Sequence, residues 1–228
     1  MTYPRTLVTL TVLGLALALG SGYVAMRESQ VYLAGGTSSV LRLAAITAQG
    51  SAIPLSYEGQ RGTLADCELV TRSMNTMQMR KLPDDSPPQI LANCLAIADA
   101  ITAWAPTDSY AFIVAAQAIA QQGDVAAAIP RYIAAAETGP NEQWLGEMRV
   151  TFAEKYLDQL TPEALRLHEA DLLMLAQSHK GIVYLAKRYV SYPEFRPRIS
   201  AVFENVSGSF QSSFIFNVRQ QIDRVRPL

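Results

Sequence analysis

The chain opens on an unbroken apolar run. Thr6 to Met26, TLVTLTVLGLALALGSGYVAM, holds twenty-one residues without a charge, preceded by Arg5 and closed by Arg27, which is long enough for a helix to cross a bilayer. The pattern then dissolves: Gly35, Gly36, Gly50, Gly59, Gly62 and Pro54 punctuate residues 28–62 and leave one short helix-compatible stretch, Ser39 to Gln49, so a linker is expected there. From Thr63 onward apolar positions recur at helical spacing between strong breaks. Those breaks fall at Leu82–Pro88, Ala105–Thr107, Gln122–Asp124, Gly139–Asn141, Leu160–Pro162, Ser191–Pro193 and Ser207–Gly208. They predict helices over Thr63–Arg80, Pro87–Trp104, Asp108–Gln121, Val125–Thr138, Gln143–Leu157, Pro162–Ser178 and Ser209–Arg226. Thr161 before Pro162 marks one start well: a hydroxyl caps the helix, and the proline takes the first position, where its missing N–H costs nothing. That helix places Leu165, His168, Leu172, Leu175 and Ala176 near one face. The organisation expected is an anchor over 1–27, a linker over 28–62, a helical domain over 63–178, and a carboxy-terminal helical cap over 179–228 packed on that domain.

Composition narrows the class. Half of the residues are hydrophobic while aromatics are only 8%, and much of the apolar count is alanine, which favours closely packed helices over sheets. The fold class is all-α. A formal charge of -1 supplies no field to recruit nucleic acid, and none is expected as a partner. Charge is uneven, however: from Lys180 onward eight basic residues face three acidic ones. That end either meets anionic lipid or an acidic partner, or is a solvated surface.

Positive charge before the apolar run and a cancelling Arg27/Glu28 pair after it orient the amino terminus to the cytoplasm and export the body. The segment reads as a retained anchor. A cleaved signal peptide is the alternative, with Leu7–Leu19 as its apolar region and Ala18-Leu19-Gly20 as its small-residue site. The two cysteines, Cys67 and Cys94, fall beyond it, in the compartment where disulfides persist, and a structural bridge between facing helices is the economical expectation. Two buried thiols or a redox pair are the alternatives; no CxxC is present.

Between Pro106 and Pro140 the residues follow a repeat. Phe112, Ala115-Ala116 and Ile119 give a large apolar residue, a small pair and another apolar residue. Gly123 falls at the turn, Ala128, Tyr132 and Ala135 on the second helix, and Pro140 at the end, one repeat length after Pro106. This stretch resembles the tetratricopeptide repeat, a helical hairpin of 34 residues. The resemblance covers about a seventh of the chain at full strength; Pro87–Trp104 upstream and Gln143–Leu157 downstream, with Trp144, are degenerate neighbours. It implies a short hairpin stack closed by the carboxy-terminal helices, and a groove in which Phe112, Tyr132 and Trp144 are the candidate partner contacts. Membrane-anchored bacterial envelope proteins with such repeats are similar in layout, some of them tied to surface-polysaccharide assembly.

Signals for chemistry are weak. His168-Glu169 is not followed by a second metal-spaced histidine, and His179 stands alone, so no metal is expected. No GxSxG, GxGxxG or P-loop occurs, and Asp84-Asp85 reads as a solvated turn. Neither catalytic residues nor a cofactor are expected. In the last helix Phe210, Phe214, Val218, Ile222 and Val225 form a stripe with Phe216 off it, which docks either on the protein's own core or on a partner or membrane surface. The expected function is a non-catalytic interaction adaptor, scaffold or assembly factor. It would sit in the bacterial inner membrane with a periplasmic body and other envelope or membrane proteins as partners. The alternatives are an envelope enzyme acting on glycans and an accessory subunit of an inner-membrane energy-transducing complex.

Overall fold

The structure, a computed structural model, describes residues 3–33, 38–43, 53–74, 79–81 and 86–225. Helices and turns account for these, with no strand among the described residues. The chain forms two compact units, Met1–Ile97 and Ala98–Leu228, with the division inside a helix.

In the first unit α1 runs over Tyr3–Leu33. Side chains 6–26 are exposed all round it, and Thr6–Ser29 is long and apolar enough to cross a membrane. The expected linker is partly folded. Residues 39–43 are helical and bury Val40 and Leu43, and Ser39 and Arg42 both bond the carboxylate of Asp66, which is itself buried. A buried carboxylate needs such partners, and this explains why residues 39–43 are held against the next helix.

That helix, α2 (Tyr57–Arg72), starts six residues before the expected Thr63 because Ser56 caps it, accepting from the Gly59 N–H. Gly59, a breaker by pattern, is a packing residue: a Cβ there would lie 2.6 Å from the Pro54 Cβ and 2.7 Å from a Glu28 carboxylate oxygen. The next helix, α3, covers Ser86–Trp104. Cys67 and Cys94 are bonded between α2 and α3, with Cα atoms 5.6 Å apart. The Asp84-Asp85 turn, the end of the expected Thr63–Arg80 helix at 75–78, and Arg226 lie outside the described residues.

The second unit holds the end of α3 and the helices α4 (Ser109–Gln121), α5 (Val125–Thr138), α6 (Gln143–Lys155), α7 (Pro162–Ala176), α8 (His179–Ser191), α9 (Arg196–Glu204) and α10 (Gly208–Val225). Local chemistry sets the ends. Asp108, Asp124, Thr161 and Ser178 each accept an amide of the first turn they precede, as N-cap side chains do. Gly123 turns α4 into α5 at φ +97°, a conformation glycine adopts without a steric penalty.

Helices α4 and α5 pack along each other, as do α6 and α7; α4 also touches α6, and α5 touches α7. Alanines 111, 115, 116, 118, 128 and 135 are fully buried and let the axes approach. Further along, Leu172, Leu175, Ile182, Leu185, Phe195, Ile199 and Phe203 form a core. α10 packs on α8 and closes this core with Phe214, stacked on Phe203 at 4.0 Å and edge-on to Tyr189 at 5.4 Å. Self-docking therefore occupies one face of α10, while Ile215, Phe216 and Ile222 remain exposed. Ile222, expected on the inward stripe, is thus on the outside.

Candidate functional site

The repeat residues divide between core and surface. Ala115, Ala116, Ala128, Tyr132 and Ala135 are fully buried; Phe112 and Ile119 are half-buried; Gly123 and Pro140 are exposed in turns. The expected stripe on α4 is not its most buried one, since Ile113 and Val114 are fully covered and Tyr110 nearly so. Tyr132 has no exposed surface and stacks on Phe152 at 5.4 Å. It therefore leaves the partner-contact set, being held by core packing. Burial pushes its phenol well above the usual range. Trp144 keeps 36% of its surface, edge-on to Tyr110 at 4.9 Å, and Phe112 keeps a partial face. Trp104, at the end of α3, is 75% exposed and was not singled out in the sequence; its position at a helix end, two residues before Pro106, is the signal available.

Two buried ionic clusters lie on α6 and α7. Arg149 is completely buried and donates to both carboxylate oxygens of Asp171, at 2.6 and 2.8 Å. Its remaining nitrogen donates to the carbonyls of Ala135 and Gly139 at the end of α5. In the second cluster Glu154 of α6 meets His168 of α7 at 2.7 Å and receives two hydrogen bonds from Arg198 of α9. The His168 Nδ1 is buried without a partner among the described residues.

Next to this second cluster, a cleft of about 480 Å³ opens between α7 and α9. Leu157, Leu165, Leu172, Leu173 and Val202 line it, with His168, Glu169, Arg198 and Asn205 as its polar members. Neither Glu154 nor Asp171 lines it; Glu154 is engaged by Arg198 at the cleft wall and Asp171 by the enclosed Arg149. No group of three His, Cys, Asp or Glu able to hold a metal occurs among the described residues. His179 is exposed at the first position of α8.

Burial pushes the Glu154 carboxyl up, but hydrogen bonds from His168 and Arg198 and their charges outweigh it and leave it below its ordinary value. A depressed carboxyl contributes stability that is present above its unfolded value, about 4.3, and lost as pH falls through the folded one. Glu154→Gln is therefore expected to cost about 2 kcal/mol at neutral pH. The gap to the unsubstituted protein should close as pH is lowered from about 5 toward 3. Urea unfolding across that range measures it, and the difference between the two proteins is the quantity to follow, because burial pushes the Asp171 carboxyl in the opposite direction.

No protein-family model, curated protein or solved structure matches this chain.

Proposed function

We propose that this chain is a single-span, membrane-anchored adaptor or assembly factor, without catalytic activity of its own, whose body binds another envelope protein. The side-by-side packing of α4–α5 and α6–α7, first helix against first and second against second, carries this reading. Stacked hairpins of that kind, tetratricopeptide-like in residues 106–140, present a continuous helical face to a partner. α8, α9 and α10 then close the stack as a cap. Support for a periplasmic body comes from the exposed apolar helix at the amino terminus and from a disulfide, which persists in oxidising compartments. The bacterial inner membrane, with the amino terminus in the cytoplasm, fits the charges around α1. A link to surface-polysaccharide assembly belongs to the same reading.

Phe112, Trp144 and Trp104 supply the partner contacts, since half-buried and exposed aromatics act as interface anchors. The test is crosslinking in intact membranes followed by purification in mild detergents. A partner recovered reproducibly by the unsubstituted chain, and at least about tenfold less by Trp104→Ala/Trp144→Ala, is the expected result. Recovery of no reproducible partner across detergents, or recovery indifferent to both substitutions, refutes the contact set.

A further inference from the structure

At the end of the apolar run, α1 is clasped by the segment that precedes α2. Glu28 accepts hydrogen bonds from the Leu55 N–H at 2.6 Å, the Ser56 N–H at 2.7 Å and the Ser56 hydroxyl at 2.6 Å. Arg27 donates to the Ile53 carbonyl at 2.6 Å and to the Tyr23 hydroxyl at 3.0 Å. The backbone of 53–56 is thereby fixed one hydrogen-bond length from residues 27 and 28.

Those two residues follow Met26, the last of the uncharged run, so in a bilayer crossed by α1 they stand where hydrocarbon gives way to headgroups. Whatever is clasped to them stands at the same level. The clasped segment carries unusual exposure for a loop in water: Leu55 is 47% and Tyr57 58% exposed, beside Tyr23 at 55%. The two tyrosines share one arrangement, each hydroxyl accepting from an arginine four residues on, Tyr23 from Arg27 and Tyr57 from Arg61. Tyrosine rings partition to the membrane interface, where an apolar body and a polar tip are both accommodated. Arginine beside them reaches lipid phosphate while its stem stays on apolar surface.

We propose that residues 53–57 and the first turn of α2, together with Tyr23 and Arg27, form a membrane-interface face that seats in the lipid headgroup layer. The occupant is the bilayer itself, chosen by the hydrogen-bonded continuity of this face with the apolar helix. This rests on the reading of α1 as a membrane span. The first unit is then not a body swinging on a linker but one seated on the membrane surface.

The test uses the full chain reconstituted in phosphatidylcholine/phosphatidylglycerol vesicles, with an environment-sensitive fluorophore on single introduced cysteines. Leu13→Cys reports the span, Leu55→Cys and Tyr57→Cys the proposed face, and Ala65→Cys, exposed on α2, the reference; the native cysteines are bonded to each other. Labels at 55 and 57 are expected to be quenched by lipids spin-labelled near the headgroup at least about twofold more than the label at 65. Glu28→Ala or Glu28→Gln should bring the signal at 55 down toward that reference. Deep-labelled lipids quenching at 13, with 55 and 57 no different from 65, overturns the proposal and leaves the span standing. An unchanged signal at 55 in both Glu28 variants overturns the role of the clasp. Absence of deep quenching at 13 overturns the span and the seated face together.

Discussion

Arg149→Ala is expected to lower the stability of the second unit by about 3–5 kcal/mol, the range for removing one partner of a buried ion pair. The side chain is completely enclosed. Truncation strands the Asp171 carboxylate in the interior and takes the guanidinium from the Ala135 carbonyl, which keeps its bonds from Ser109 and the Gly139 N–H, and from the Gly139 carbonyl. The loss therefore falls on the joint between the two hairpins, where the end of α5 is tied to α6 and, through Asp171, to α7. Arg149→Lys keeps the charge but not the fork, so it should recover only part of the loss. Removing both charges with Arg149→Met/Asp171→Leu should cost less than Arg149→Ala alone, since no charge is then left buried without a partner. Urea unfolding followed by tryptophan fluorescence measures all of these, because Trp104 and Trp144, the only two tryptophans, both lie in this unit. A loss below about 1 kcal/mol for Arg149→Ala would show that the pair contributes nothing net.

This pair marks where reading the sequence stops. Helix existence and many ends were legible because caps are local chemistry: Asp124 and the glycine before it, and Thr161-Pro162, each act within a turn of their own position, and the observed starts at Val125, Gln143 and Pro162 coincide with the expected ones. What depends on distant partners was not. Arg149 lies on the same stripe of α6 as Leu145 and Phe152, and Asp171 on the same stripe of α7 as His168 and Leu175. Charges on apolar stripes at helical spacing were the available signal, but neither residue names the other without the fold. On α4 the signal itself is thin. A helix of alanine, valine and isoleucine buried on nearly all sides has no strong apolar face, and the periodic stripe through Phe112 and Ile119 selected residues that are only half-covered. The glycines of 28–62 misled in another way, since Gly59 is there for close approach rather than for flexibility, which shows only when Pro54 and Glu28 arrive beside it. Of the cleft between α7 and α9 only one wall was legible, as the face of Leu165, His168 and Leu172, because Arg198 and Val202 of the other wall lie about thirty positions further on.

Replacing the disulfide is expected to cost the first unit about 3.5 kcal/mol. Its bonded cysteines are 27 residues apart, and closing a loop of that size removes about 12 cal/mol/K from the unfolded chain in the chain-entropy model. Cys67→Ala/Cys94→Ala is the cleaner variant, because both sulfurs are fully buried and serine would add an unpaired hydroxyl to the loss. Hydrogen exchange read by mass spectrometry is the suitable measurement, as neither tryptophan lies in this unit. Amides of α2 and the first half of α3 should exchange faster by about 400-fold in the variant, the equivalent of that free energy when exchange follows cooperative opening. Reductant should do the same to the unsubstituted chain and nothing further to the variant. The position of the bridge adds a sharper expectation. Cys67 lies eleven residues along α2 from its Ser56 cap, about 16 Å at the helical rise, so α2 is held at one end by Glu28 and near the other by the bridge. If the two fastenings act separately, the Leu55 and Ser56 amides stay protected by Glu28 after reduction while α3 loosens. Loss of protection at both ends together would mean that the first unit opens as one, and that the bridge holds the seat on the membrane as well as the pair of helices beyond it.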